Sequence, residues 1–130
     1  MKVQAFFLCG DVTGRKKFPT LVDCCIVNIP APSYPYAVEL KLFAMVTKEP
    51  TDHPGRYVGK TSFIEKNRMT PLGDLEFFLT AEGAIEWGAS DVTLWFEGDC
   101  EGRVVMTFEN SPAAAEWPLR IRKQTDQGDP

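Results

Sequence analysis

Short runs in which apolar and polar residues alternate recur along most of this chain. Clear examples are Val38–Leu42 and Asp74–Leu79. A period of two is typical of strands with one buried face, because successive side chains of a strand point to opposite faces. No sustained stretch repeats its apolar residues at the helical period of 3.6. The pattern therefore predicts an all-β protein.

The spacing of the runs predicts a two-sheet antiparallel β-sandwich of seven to eight strands, Ig-like or C2-like in type. The expected strands are 3–9, 20–29, 37–47, 55–65, 74–80, 92–97, 103–109 and 117–122. They form one domain over residues 1–123, and the polar segment 124–130 is expected to be a disordered C-terminal tail.

The sequence makes a more specific prediction for two of the connections between strands. Residues 30–35 contain three prolines, which cannot donate to a strand ladder, so this segment is expected to carry the chain from one sheet to the other. Runs 92–97 and 103–109, joined by 98–102 with its two glycines, match the pattern of a β-hairpin.

The composition limits the partners of the protein. The 130 residues carry a formal net charge of −4, which argues against non-specific nucleic-acid binding because such binding needs a positive field. No run approaches the ~18 apolar residues of a membrane helix. The apolar N-terminal stretch is too short for a signal peptide and is stopped by Gly10 and Asp11, so a cytoplasmic location is expected.

The chain offers little catalytic or metal-binding chemistry. His53 is the single histidine and lies in a loop, so neither a nucleophilic triad nor a zinc site is expected. Cys9, Cys24 and Cys25 lie in apolar runs and are interpreted as reduced, buried residues, which leaves Cys100 as the candidate exposed thiol. We therefore expect no enzymatic activity, no cofactor and no metal.

Several large apolar residues are out of phase with the inward positions of their strands. If Leu75, Phe77 and Leu79 point inward, Phe78 points outward, and the same reasoning applies to other strands. Together they could line the outer face of one sheet as a patch that binds a partner, unless loops cover them. The candidate interface residues are Phe43, Met45, Phe78, Trp95 and Val105.

The overall pattern resembles a known family. The first strand ending in Phe7–Asp11, the long apolar second run, the proline-rich crossing into Val38–Leu42 and the late hairpin resemble small bacterial β-sandwich proteins catalogued as a domain of unknown function. The resemblance implies a compact cytoplasmic sandwich without an assigned activity.

Two functions remain open. The preferred one is a non-catalytic domain for protein–protein binding or self-assembly, with a homodimer or another protein as partner. The alternative is a ligand-binding module for carbohydrate or Ca²⁺ that uses the loops at one end of the sandwich. The positions of Trp95 and Phe78 separate them: a flat sheet face favours protein contact, and a loop-lined cleft with Asp91 and Asp99 favours a ligand.

Overall fold

The computed structural model describes residues 1–15, 18–80 and 85–124. All regular structure in these ranges is β-strand, which confirms the predicted all-β class. No helix in the described ranges is long and apolar enough to span a membrane. The strands are β1 (Lys2–Cys9), β2 (Asp11–Arg15), β3 (Phe18–Val22), β4 (Asn28–Ala31), β5 (Tyr36–Thr47), β6 (Gly55–Glu65), β7 (Arg68–Leu79), β8 (Ile85–Phe96), β9 (Cys100–Phe108) and β10 (Ser111–Lys123).

These strands form three sheets. A three-stranded sheet has the order β1-β5-β8, and a five-stranded sheet has the order β4-β10-β9-β6-β7. β2 and β3 pair with each other as a separate two-stranded sheet. The pairing of β4 with β10 is parallel, whereas the other pairs are antiparallel.

One hydrophobic core lies between the three-stranded and the five-stranded sheet. Phe63 of β6 meets Phe96 of β8 across it, with ring centroids 6.0 Å apart and the rings nearly perpendicular. Edge-to-face contacts of this kind favour the pair beyond the area that it buries. The predicted inward positions that the structure buries are Leu40, Leu42, Ala44, Val46, Leu75, Phe77, Leu79, Leu119 and Ile121.

The number of strands differs from the prediction. The described residues form ten strands in three sheets rather than seven to eight in two. The expected long strand over 20–29 is divided, because Asp23 and Cys25 have φ values of 51° and 60°, which an extended strand does not allow. The short piece that follows, β4, then pairs in parallel with β10, so the sheets are not purely antiparallel.

The predicted hairpin over 92–109 is wrong. β8 pairs with β5 in the three-stranded sheet, whereas β9 pairs with β6 and β10 in the five-stranded sheet. A short glycine-containing connection fits a sheet-to-sheet corner as well as a hairpin, so the local pattern could not separate them. The proline-rich crossing is confirmed, since it links β4 of one sheet to β5 of the other.

The predicted tail lies almost wholly outside the described residues. Gln124 is its one described member, and its backbone amide donates a hydrogen bond to the carbonyl of Ala31 at 2.7 Å. This bond belongs to the parallel pairing of Lys123 with Ala31, the last pair between β10 and β4. β10 therefore ends at Lys123.

Candidate functional site

The five candidate interface residues do not share one face. Phe43, Met45 and Trp95 belong to β5 and β8 of the three-stranded sheet, and Phe78 and Val105 belong to β7 and β9 of the five-stranded sheet. Since the core lies between the two sheets, their outward residues point to different sides of the molecule. The prediction of a single outward patch is therefore wrong.

Phe43 is a buried residue and not a surface one. Its side chain is only 2% exposed, and its ring stacks with Phe7 at 5.3 Å and with Trp87 at 5.8 Å. These three rings lie in one row across β1, β5 and β8. The alternation places Phe43 on the correct face of its strand, but aromatic side chains on that face cover it.

Only two of the candidates are well exposed. Met45 and Val105 are half-buried, and Val105 lies in register between Ser62 and Glu116, which are polar. Phe78 is 54% exposed and Trp95 is 61% exposed. Among the side chains that the structure describes, these two are the large aromatic residues exposed to solvent.

Trp95 lies at the rim of a cleft at one end of the molecule. It is the penultimate residue of β8, directly before the loop that crosses to β9. The cleft has a volume of about 220 Å³. Charged side chains surround it, and they are Glu65, Arg68, Glu97 and Asp99.

The opposite wall of the cleft is the tight turn between β6 and β7. Glu65 and Arg68 pair across this turn, which leaves Lys66 and Asn67 as its two central residues. Lys66 has a φ of 44°, the left-handed conformation that suits a two-residue hairpin turn. The Arg68 guanidinium is 3.9 Å from a Glu65 carboxylate oxygen, so the pair is loose and Arg68 remains largely exposed.

Asp99 is held in place by two hydrogen bonds. The Tyr34 hydroxyl donates to Asp99 Oδ1 at 2.5 Å, and the backbone amide of Lys123 donates to the same oxygen at 2.8 Å. The bond from Tyr34 and that from Lys123 lower the pKa of Asp99. Desolvation, together with the bond to Asp99, raises the pKa of Tyr34 to about 12. Asp99 therefore fixes the loop to the proline-rich crossing and to the end of β10.

Cys100 is held in its neutral form. Its Sγ donates a hydrogen bond to Glu65 Oε2 at 2.6 Å. Burial, followed by this hydrogen bond, raises the pKa of Cys100 to about 12. Since the thiolate is the nucleophilic form, this cysteine is not activated for covalent chemistry at neutral pH.

A second cleft adjoins the first. It has a volume of about 350 Å³ and is lined by Lys66, Asn67 and Glu101. Both clefts share Glu65, Arg68, Asp99 and Cys100, and we refer to the two clefts together as the charged depression; Trp95 lines the first of them. The depression contains donors from Arg68 and acceptors from the carboxylates, with Trp95 as its large aromatic residue.

The other residues noted in the sequence lie elsewhere. Asp91 pairs with Lys41 on the three-stranded sheet and does not line the Trp95 cleft. His53 is exposed, and its backbone carbonyl accepts a hydrogen bond from the Tyr57 hydroxyl. In the described ranges, no group of three or more His, Cys, Asp or Glu residues could hold a metal ion.

The sequence reasoning missed Glu65 and Arg68 as members of the site. They lie about 30 residues before Trp95 in the sequence, and only the packing of the two sheets brings their turn beside the β8–β9 loop. A concentration of charge in a short turn, from Glu65 to Arg68, was the available sign.

Comparisons with known proteins found distant structural likenesses only. No protein-family model and no curated protein matches the chain. The β-glucosidase EmGH1 from Erythrobacter marinus is 10% identical, with a TM-score of 0.47 over 90% of this chain and 15% of that one. Superoxide reductase (neelaredoxin) from Ignicoccus hospitalis is 11% identical, with a TM-score of 0.41 over 89% of this chain and 82% of that one. Scores this low support no conclusion about the function of this chain.

Proposed function

We propose that this protein is a non-catalytic ligand-binding module whose site is the charged depression beside Trp95, and that its ligand is a carbohydrate. The observation that supports the proposal most directly is the 61% exposure of Trp95 at the rim of a loop-lined cleft. Of the two functions that the sequence left open, the position of Trp95 beside a cleft with Asp99 favours the ligand, whereas Asp91 does not line that cleft and Phe78 lies on the other sheet.

The exposed indole is suited to the apolar face of a sugar. A pyranose ring presents C–H groups on one face, and an aromatic plate can cover them while the hydroxyl groups remain at the edge. Tryptophan combines a large apolar body with one polar N–H, which explains its frequent use in binding sites. Covering a Trp side chain also recovers part of the free energy that its exposure to water forgoes.

The charged side chains supply the directional contacts that a polyol requires. Arg68 presents several N–H donors and is only loosely paired with Glu65. Glu97 lines the same cleft and presents acceptors. A few polar groups that converge beside an apolar surface are the usual composition of a small-molecule site.

Ca²⁺ is the less favoured ligand for the same loops beside Trp95. It requires six to eight oxygen ligands around one ion. Asp99, one of the carboxylates that line the cleft, is already bonded to Tyr34 and Lys123. The carbohydrate form of the proposal is therefore the one to test.

Isothermal titration calorimetry with the soluble hexasaccharides of cellulose, xylan, starch and chitin tests the proposal. We expect one of them to bind the wild-type protein and Trp95→Ala to weaken that binding about thirtyfold, since truncating a central aromatic costs about 2 kcal/mol or more. Arg68→Ala is expected to weaken the same binding.

Phe78→Ala is the matched control, because Phe78 is similarly exposed but lies on the other sheet. It should leave the affinity unchanged. Binding of none of the four sugars, or equal affinity in wild type and Trp95→Ala, would contradict the proposal.

The function preferred from the sequence, protein binding or self-assembly, remains a second candidate. It is supported by Phe78, which is exposed on β7 at the end of the strand order in the five-stranded sheet. A cytoplasmic location and an Ig-like or C2-like sandwich also remain parts of the proposal.

A further inference from the structure

Three of the four cysteines come together at the edge of β1. Cys9 is the last residue of β1 and is fully buried, whereas Cys24 and Cys25 are exposed in the loop between β3 and β4. The sequence predicts buried strand positions for all three. For Cys24 and Cys25 this prediction is wrong, because the loop turns outward at the positive φ angles of Asp23 and Cys25.

Hydrogen bonds on both sides of the cysteines hold the loop against β1. The Ile26 amide donates to the Leu8 carbonyl at 2.9 Å, and the Gly10 amide donates to the Val22 carbonyl at 2.8 Å. Leu8 and Gly10 flank Cys9, while Val22 and Ile26 enclose Cys24 and Cys25. The two segments run antiparallel here, so Cys9 lies opposite the cysteine pair.

Three loop residues, 23–25, lie opposite the single residue Cys9, and the positive φ angles of Asp23 and Cys25 fold them into a compact bulge beside it. The Cys9 thiol donates a weak hydrogen bond to the Lys41 carbonyl at 3.7 Å, so forming a disulfide, which joins Cα atoms about 4.4–6.8 Å apart, requires this thiol to leave Lys41. Burial, and then the charge of Cys24, raise the pKa of Cys9 to about 11, whereas Cys25 contributes less than Cys24 does. Cys24 is also the middle residue of the three that lie between Val22 and Ile26, the two residues bonded on either side of Cys9.

We propose that Cys9 and Cys24 form a reversible redox site, in which a peroxide oxidises the exposed Cys24 and the buried Cys9 then closes a disulfide with it. The Cys24 thiolate attacks one peroxide oxygen, which yields a sulfenic acid and releases hydroxide. The Cys9 thiol then condenses with the sulfenic acid, and one water molecule leaves as the S–S bond forms. In total, two thiols lose two electrons and two protons, and one hydrogen peroxide becomes two waters.

The same loop connects the two large sheets, so a disulfide here acts on more than the loop. The Ile26 carbonyl accepts a hydrogen bond from the Trp117 indole at 2.8 Å, and the Val27 carbonyl accepts one from the Arg120 amide at 2.8 Å. Both donors belong to β10 of the five-stranded sheet, whereas Cys9 belongs to the three-stranded sheet. Oxidation would therefore covalently fix the segment that bridges β1 and β10.

Peptide mapping after oxidation tests the proposal. The reduced, folded protein is treated with a small excess of hydrogen peroxide, remaining thiols are alkylated, and the protein is digested with trypsin without reduction. Trypsin places Cys9 in peptide 3–15 and both Cys24 and Cys25 in peptide 18–41. We expect these two peptides to be joined in the folded protein and released by dithiothreitol, with far less joining in urea.

Single variants identify the partners without disturbing the core, since both loop cysteines are exposed. Cys25→Ser should still form the cross-link, and Cys24→Ser should form it at least tenfold more slowly. Cys100→Ser is the control, because the Cys100 thiol is bonded to Glu65 and is not part of the loop that contacts Cys9, and it should not change the rate. An internal bridge between Cys24 and Cys25, equal cross-linking in Cys24→Ser, or no cross-link in the folded protein would overturn the proposal.

Discussion

The hydrogen bond between Tyr34 and Asp99 makes the stability of the loop end depend on pH. The pKa of Tyr34 is raised to about 12 from 10.0, so its contribution is complete below about pH 10 and is lost as the pH rises towards 12. The pKa of Asp99 is lowered, so its contribution is complete above the ordinary aspartate range and is lost as the pH falls through the lowered value. Between these limits the bond stabilises the folded state fully.

We expect Tyr34→Phe to lower the midpoint of urea unfolding at neutral pH, and the difference from wild type to disappear as the pH approaches 12. The reason is that the tyrosinate can no longer donate to the Asp99 carboxylate. A titration of tyrosinate absorbance gives a direct second measurement. One of the three tyrosines of the wild type should ionise late, near pH 12.

Tyr36→Phe is the matched control for that titration, because it removes a neighbouring phenol and keeps the bond to Asp99. It should leave the late-ionising group in place. If the late group persists in Tyr34→Phe, or if the two variants give the same curve, the bond does not control the ionisation of Tyr34.

The close packing of β9 against β6 can be tested at Gly102 of β9. A Cβ at this position would collide with the backbone carbonyl oxygen of Ile64 and would come within 2.7 Å of the Phe63 ring. A backbone atom of a paired strand cannot move aside as the end of a flexible side chain can. We therefore expect Gly102→Ala to lower the free energy of unfolding by about 1–3 kcal/mol, measured by urea denaturation.

Gly98 provides the control in the same region. A Cβ there meets no atom within 4 Å, so Gly98→Ala should change the stability by no more than about 0.5 kcal/mol. Equal stability of Gly102→Ala and Gly98→Ala would mean that the pairing of β6 with β9 is looser than the structure indicates.

The strands also show which parts of this fold the sequence predicts and which parts it does not. Alternation identified the inward faces of β5 and β7 correctly, because burial on one side of a strand leaves a period of two in the sequence. It could not identify the partner of β8, since pairing with β5 or with β9 satisfies the same alternation. The apolar cysteines at 24 and 25 also extended the pattern through a loop that leaves the sheet at Asp23.

The candidate site was predictable only in part, for a related reason. The outward direction of Trp95 follows from the phase of its neighbours Leu94 and Phe96, and the structure confirms it. Its exposure, in contrast with the burial of Phe43, depends on which side chains cover each position. The presence of Arg68 and Trp95 in one cleft depends on how the two sheets pack, which no local sequence pattern contains.

At the scale of the molecule, the two exposed aromatic residues of the described ranges, Trp95 and Phe78, lie on different sheets. Trp95 lies among charged residues at the loop end, whereas Phe78 lies on β7 beside Arg56, which pairs with Glu76 at 2.7 Å. An apolar centre with a charged rim is the usual arrangement of a protein interface. If the chain forms the homodimer expected from its sequence, we therefore expect the contact at Phe78.

Light scattering during size-exclusion chromatography tests this expectation. The wild type should give about twice the chain mass of 14.6 kDa, and Phe78→Glu should shift it towards the monomer, because a charge in the contact centre has no partner. Trp95→Glu should remain dimeric, since it lies on the other sheet. Phe43→Ala should instead lower the free energy of unfolding by about 3–5 kcal/mol, because it leaves a cavity at a buried position. A wild type that stays monomeric at every concentration would exclude the dimer, and dissociation by Trp95→Glu alone would move the contact to the three-stranded sheet.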